Sequence, residues 1–154
     1  MVTDVDDVMV SAAARRLAAY PNLRVERADV TSMPYPAETF DIVTSYLMLH
    51  HVIDWSEALA EAARVLRPRG MVIGYDLTDT RLARATHRLD GSPHRIIAPD
   101  ELADGLANAG FADIRVAPSF RNHVMRFRGV KRGRLRHAAS TGTDLPCLRL
   151  CPCC

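Results

Sequence analysis

Residues 25–55 read VERADVTSMPYPAETFDIVTSYLMLHHVIDW, and the order of elements in this stretch decides the fold. Pro34 and Pro36, among small polar residues, mark 31–39 as a loop. The following FDIVTS, residues 40–45, is rich in β-formers and predicts a buried strand. Before the loop, residues 23–26 predict a short strand that leads to Asp29. After it, Asp54 is placed to cap a helix, with Glu57 in the reciprocal position and Leu59, Ala62, Ala63 and Leu66 on one face. Trp55 is expected to pack at that helix start.

The same alternation extends outward in both directions. Val2–Asp4 is a short apolar stub, and Asp6 and Asp7 suit a helix start. Met9, Ala13 and Leu17 then recur every four residues, with Arg15 and Arg16 outside, until Tyr20 and Pro21 stop the helix. Met9 is thereby expected in the helix core. Pro68 and Gly70 close the second helix, and MVIGY at 71–75 predicts another buried strand. Pro99, Asp100 and Glu101 make a good first helical turn, Leu102 and Leu106 its buried side, and Gly110 its end. Ile114 and Val116 mark one more strand. Strands alternating with helices of this length predict an α/β fold, a doubly wound, mostly parallel sheet with helices on both faces.

Composition removes whole chemistries. The chain has 154 residues, 48% hydrophobic and 25% charged, which is one ordinary domain's worth of globular sequence. Lys131 is the only lysine, so a phosphate loop with Gly-Lys, a Schiff-base enzyme and a Tyr-x-x-x-Lys dehydrogenase cannot be built. The first of eight glycines is Gly70, and no Gly-x-Gly occurs. No apolar run approaches the ~20 residues that span a bilayer, and the acidic MVTDVDD start is unlike a signal peptide. A cytoplasmic location is the expectation.

The net charge of +2 hides an asymmetry: residues 1–120 carry 12 basic and 17 acidic side chains, residues 121–154 carry 8 and 1. Cys147, Cys151, Cys153 and Cys154 all fall in the last eight positions. We therefore divide the chain into a domain at 1–130 and a basic, Cys-rich tail at 131–154, expected to be disordered. The cysteine spacing is not that of a zinc ribbon, although such crowded thiolates can take up Zn²⁺ or Cu(I) opportunistically. The tail could touch nucleic acid, yet it offers no aromatic residue for stacking. Its abrupt change of composition also fits a frame-shifted gene end.

In open parallel sheets, ligands bind beyond the carboxyl ends of the strands. Asp4, Asp29 and Asp76 all fall there. An ionised carboxylate at the end of one strand can accept from two ribose hydroxyls, and another, one strand on, can accept from an adenine amine. Surface acids at loop starts are common, so spacing alone leaves both readings open.

Three stretches carry a resemblance: VTDVDDVMVSAAARRL at 2–17, residues 25–55 as quoted, and EAARVLRPRGMVIGYDL at 61–77. Together they resemble class I S-adenosylmethionine-dependent methyltransferases, nearest to the type 11 group with its ubiquinone and menaquinone enzymes, over roughly residues 1–130. The resemblance implies a Rossmann-like fold and methyl transfer from S-adenosylmethionine to a small molecule, with no metal. It also implies roles for individual residues. Asp4 matches the ribose-binding acid and Val5 its apolar neighbour against the adenine. Asp29 matches the acceptor for the adenine amine, and Val30 the residue beside it. Ser45 lies where the methionine part of the cofactor is met, mainly through backbone. His50 and His51 fall in the loop between cofactor and substrate.

The resemblance also implies a first strand, a glycine-rich loop and a first helix before Val2. The expectation is that the sheet lacks this strand, which the family places between the strands at 2–4 and 40–45, leaving two open edges.

For His50 and His51, adjacent histidines point apart and rarely share a metal; one can serve as a base near neutral pH, or both can be packing or capping residues. His87 and His94 lie in an arginine-rich segment that could face an anionic substrate or simply solvent. Two rivals stand beside the methyltransferase reading: a nicotinamide-dependent oxidoreductase on a similar fold, and an inactive fragment or degenerate partner subunit.

Overall fold

The computed structural model describes residues 1–78, 80 and 94–133. His87 and the four cysteines lie outside them. The elements are β1 (Val2–Asp4), α1 (Asp7–Leu17), β2 (Val25–Arg27), β3 (Phe40–Tyr46), a 3₁₀ turn (Leu49–His51), α2 (Trp55–Val65), β4 (Leu66–Leu77), α3 (Pro99–Asn108), β5 (Phe111–Ser119) and β6 (Val124–Lys131).

The strands form two separate sheets. β1 and β2 pair in parallel, with Asp4 opposite Arg27. The other sheet has the order β3-β4-β6-β5; β3 and β4 are parallel, and β6 runs antiparallel to both neighbours. The α/β class holds, and the carboxyl-terminal hairpin makes the sheet mixed. β6 is a strand beyond those the sequence predicts. Met125, Phe127 and Gly129 are buried while Arg126 and Arg128 are exposed, the period-2 alternation of a half-buried strand.

The core lies between α2, α3 and one face of the four-stranded sheet. Leu59, Leu66, Leu102, Leu106, Phe111 and Met125 are almost fully enclosed there. Each such side chain contributes about 1.5–3 kcal/mol of burial. Gly105 permits the helix contact: a Cβ at that position would lie 2.3 Å from the Trp55 ring. Gly74 does the same between strands, since its Cβ would meet the Ser45 carbonyl at 2.1 Å and the Phe127 ring at 2.6 Å.

Several local expectations fail: α2 stops at Val65, so Leu66, Pro68 and Gly70 lie in β4 rather than on or at the end of the helix. Met9 is 55% exposed, and no residue of α1 is buried, because a two-stranded sheet is too small to cover that helix. Asp6 caps α1 well, accepting from the Val8 and Met9 N–H groups. Asp54 precedes α2 but makes no side-chain cap, so the reciprocal pair with Glu57 is absent; its carbonyl instead accepts the Glu57 N–H at 2.9 Å. Among the described residues, helices cover only one face of the four-stranded sheet. The other face leaves Ile42, Tyr46 and Tyr75 exposed beside Arg126 and Arg128.

Candidate functional site: the cleft between β1 and β3

A cleft of about 420 Å³ separates the two sheets. β1 forms one wall through Val2, Thr3 and Asp4, and β3 the other through residues 42–46. Met33 and Tyr35, from the proline loop, line it as well.

That loop is clamped from α2. The Arg64 guanidinium donates to the carbonyls of Tyr35 at 2.7 Å and Met33 at 3.0 Å, and Glu61 accepts the Met33 N–H at 2.9 Å. The Arg64 partner and the Met33 N–H together hold the Glu61 carboxyl below its ordinary range, against the effect of burial. The Tyr35 hydroxyl donates to Glu26 on β2, and its ring meets Phe40 edge-on at 5.1 Å. Burial first, and the Glu26 carboxylate second, push the Tyr35 phenol up to about 12. The loop thus joins β2, β3 and α2 at one side of the cleft.

Asp4 and Ser45 line this same cleft. The Asp4 carboxylate accepts the Asp6 N–H at 2.9 Å through Oδ1. Asp29 is not among the lining residues but lies on the same rim as Asp4: the Ala28 N–H binds the Asp4 carbonyl at 3.0 Å, and Asp29 is the next residue. Its Oδ1 accepts from the Thr31 N–H at 2.8 Å and the Thr31 hydroxyl at 2.7 Å. These bonds, the backbone one foremost, lower the Asp29 carboxyl below its usual range and keep it ionised. Val5 is exposed, and Val30 packs against the core. Ser45 is buried, its carbonyl lies against Gly74 of β4, and its hydroxyl has no hydrogen-bond partner.

The two histidines separate. His50 is 3% exposed and is held by Asp76, 1% exposed, at the end of β4. Its ring Nδ1 contacts Asp76 Oδ1, and its backbone N–H reaches Oδ2 at 3.2 Å. The Leu77 N–H adds a third donor to the same carboxylate at 2.7 Å. His51 is exposed, its ring 4.1 Å from that of His50 between centroids. His94 is half-buried. The sequence placed Asp76 at a strand end without revealing its partner, because nothing local links a residue to another 26 positions away.

Residues 1–74 match a family described as a methyltransferase domain. Over those residues the chain is similar to that family. A probable S-adenosylmethionine-dependent methyltransferase of Mycobacterium tuberculosis is 26% identical over 136 residues, 86% of this chain and 48% of that protein. A demethylmenaquinone methyltransferase of Clavibacter sepedonicus is 29% identical over 164 residues, 90% of this chain and 66% of that protein. The citrinin polyketide synthase CMeT domain structure superposes with a TM-score of 0.74 at 18% identity, over 85% of this chain and 38% of that one; at such identity the likeness concerns the fold. The chain spans about half the length of the first of these curated relatives. These matches leave the nicotinamide-dependent alternative without support. Among the described residues no group of three His, Cys, Asp or Glu side chains is placed to hold a metal, and no helix is long and apolar enough to cross a membrane.

Proposed function

We propose that the carboxyl rim of the β1–β3 cleft binds S-adenosylmethionine and that residues 1–130 form the unit that presents it to a small-molecule acceptor in the cytoplasm. The observation that carries this reading is the pairing of Asp4 with the orphaned Ser45 hydroxyl in one cleft. A buried hydroxyl without a partner costs about 1–3 kcal/mol, a cost that a polar ligand group would relieve. The remaining Asp4 oxygen is suited to ribose hydroxyls, and the ionised Asp29 to the adenine amine, with Val5 as the apolar neighbour and the Val30 N–H for a ring nitrogen. The residues present fit the group.

S-adenosylmethionine, when bound, supplies an electrophilic sulfonium methyl. The chain's own part is positioning and the exclusion of water. His51, exposed on the loop after β3, is the residue placed to take a proton from an acceptor. His50, held by Asp76, fixes the loop that carries it. Lys131 closes β6 and donates to the Leu66 carbonyl at 2.7 Å, so this unit runs past residue 130.

The test is calorimetry. Asp4→Ala should weaken S-adenosylmethionine binding by about 1.5–3 kcal/mol, ten- to hundredfold, and unchanged affinity removes Asp4 from the site. His51→Ala should lower turnover while leaving cofactor binding intact. A second reading, a non-catalytic partner subunit, is favoured by the division of the strands into two sheets. Cofactor binding with no turnover on any quinone or small phenol acceptor would support it.

A further inference from the structure

The loop that joins β5 to β6 holds three consecutive non-glycine residues in the left-handed region: Phe120, Arg121 and Asn122, with φ of 46°, 52° and 65°. The His123 N–H binds the Phe120 carbonyl at 3.0 Å, so Arg121 and Asn122 are the central pair of a tight turn. Hairpins usually meet positive φ at both central positions with Asn and Gly. Asn122 suits its place, whereas Phe120 and Arg121 are bulky residues under strain. β4 keeps the loop in this form. The Thr78 hydroxyl donates to the Asn122 carbonyl, and the Thr78 N–H donates to the His123 carbonyl at 3.1 Å. Strain held in place by such contacts gathers at functional sites.

What the strain displays is an apolar ring beside a cation. Phe120 is 76% exposed, and Arg121 is exposed with no ion pair or hydrogen bond among the described residues. The Phe120 ring lies 6.5 Å from that of His123, whose Nδ1 is 3.4 Å from the Thr80 hydroxyl, so the ring stands by the chain leaving β4. Asp76 is opposite Met125 and Leu77 opposite Val124, which sets the loop at the carboxyl rim, next to the carboxylate that holds His50. We propose that Phe120 and Arg121 form a binding site for a planar aromatic acid: the ring takes one face of the ligand and the guanidinium pairs with its carboxylate. Aromatic rings gain from offset or edge contact, and the guanidinium fork matches a carboxylate with two parallel bonds. That this ligand is the methyl acceptor rests on the methyl-donor reading above, whereas its binding at residues 120–123 does not.

The probes are 6-hydroxy-2-naphthoate and its neutral amide, titrated by NMR into the isotopically labelled full chain, alone and with S-adenosylhomocysteine. The naphthoate should shift the amides of Phe120, Arg121 and His123 saturably. At low salt it should bind about fivefold more tightly than the amide, a preference that shrinks at high salt. Arg121→Gln should remove that preference and leave the affinity for the amide unchanged. Phe120→Ala should weaken both probes alike, by about three- to tenfold. Arg121→Gly relieves the left-handed backbone, so it should raise the denaturation midpoint while abolishing the preference, a split that a merely structural loop would not show. Equal affinity of the two probes for the unaltered chain overturns the proposal, as do shifts that leave residues 120–123 silent. If S-adenosylhomocysteine shifts Asp4 and Asp29 but neither probe reaches the loop, the pair is wrong and the donor reading stands. Naphthoate bound at the loop with no donor shifts upholds the pair and removes only its link to methyl transfer.

Discussion

His50 and Asp76 form a buried pair in which one carboxylate receives the ring Nδ1 and the backbone N–H of the same histidine. Two contacts to one residue fix both the ring and the turn that carries it. With the Leu77 N–H, Asp76 has three protein donors in a site almost closed to water.

Asp76→Ala should therefore destabilise the fold by about 3–5 kcal/mol, since it strands three buried donors and adds a small void. Asp76→Asn keeps the volume and should cost about 1–3 kcal/mol. Urea denaturation checks both, and the ordering of the two variants is the informative part. Equal, small effects would mean that the pair is spectator packing.

Gly105 gives an opposed prediction. In an exposed helix, Gly→Ala usually stabilises by about 1 kcal/mol. Here the added methyl would lie 2.3 Å from the Trp55 ring, which is itself enclosed by α3. Overpacking of this kind costs about 1–3 kcal/mol and should win. The expected result for Gly105→Ala is a lower denaturation midpoint with a shifted Trp55 emission, Trp55 being the sole tryptophan.

Tyr35 predicts an alkaline limit. Its phenol is raised to about 12 by burial and by Glu26, whereas in the unfolded chain it ionises near its ordinary 10.0. Between those values the native state holds the proton that the unfolded state has lost, so stability falls as pH rises from about 10 to about 12. Below 10 the contribution is complete. Denaturation across pH 9 to about 11.5 should show this decline, and Tyr35→Phe should flatten it.

How far the sequence anticipated this molecule depends on whether the signal was local. β3, α2 and α3 announce themselves through period and punctuation: the two prolines before Phe40, the Leu59 and Ala63 face, and Pro99 at a helix start. α1 was legible as a helix but not in its burial, because the exposure of Met9 depends on how much sheet lies under it. β6 was missed although Met125, Phe127 and Gly129 alternate with Arg126 and Arg128, since a basic composition masked the strand pattern. At the site, Asp4 and Ser45 were placed by their strand ends, and the structure brings them to one cleft. The partnership of His50 with Asp76 was not readable, since it arises only when β4 lies beside β3. The unpartnered hydroxyl of Ser45 was no more readable, since it depends on what packs around β3.

The central claim, that the rim shared by Asp4, Asp29 and Ser45 receives S-adenosylmethionine, is tested most directly by an NMR titration of the isotopically labelled chain with that compound up to millimolar concentration. The account predicts saturable shifts at the amides of Asp4, Val5, Asp29, Val30 and Ser45, lost in Asp4→Ala while the spectrum stays dispersed. Weak affinity is compatible with the open edges of β1 and β3, but the location is fixed. A folded spectrum with no shifts at these five amides, or with shifts confined to the Arg126 and Arg128 face, would contradict it.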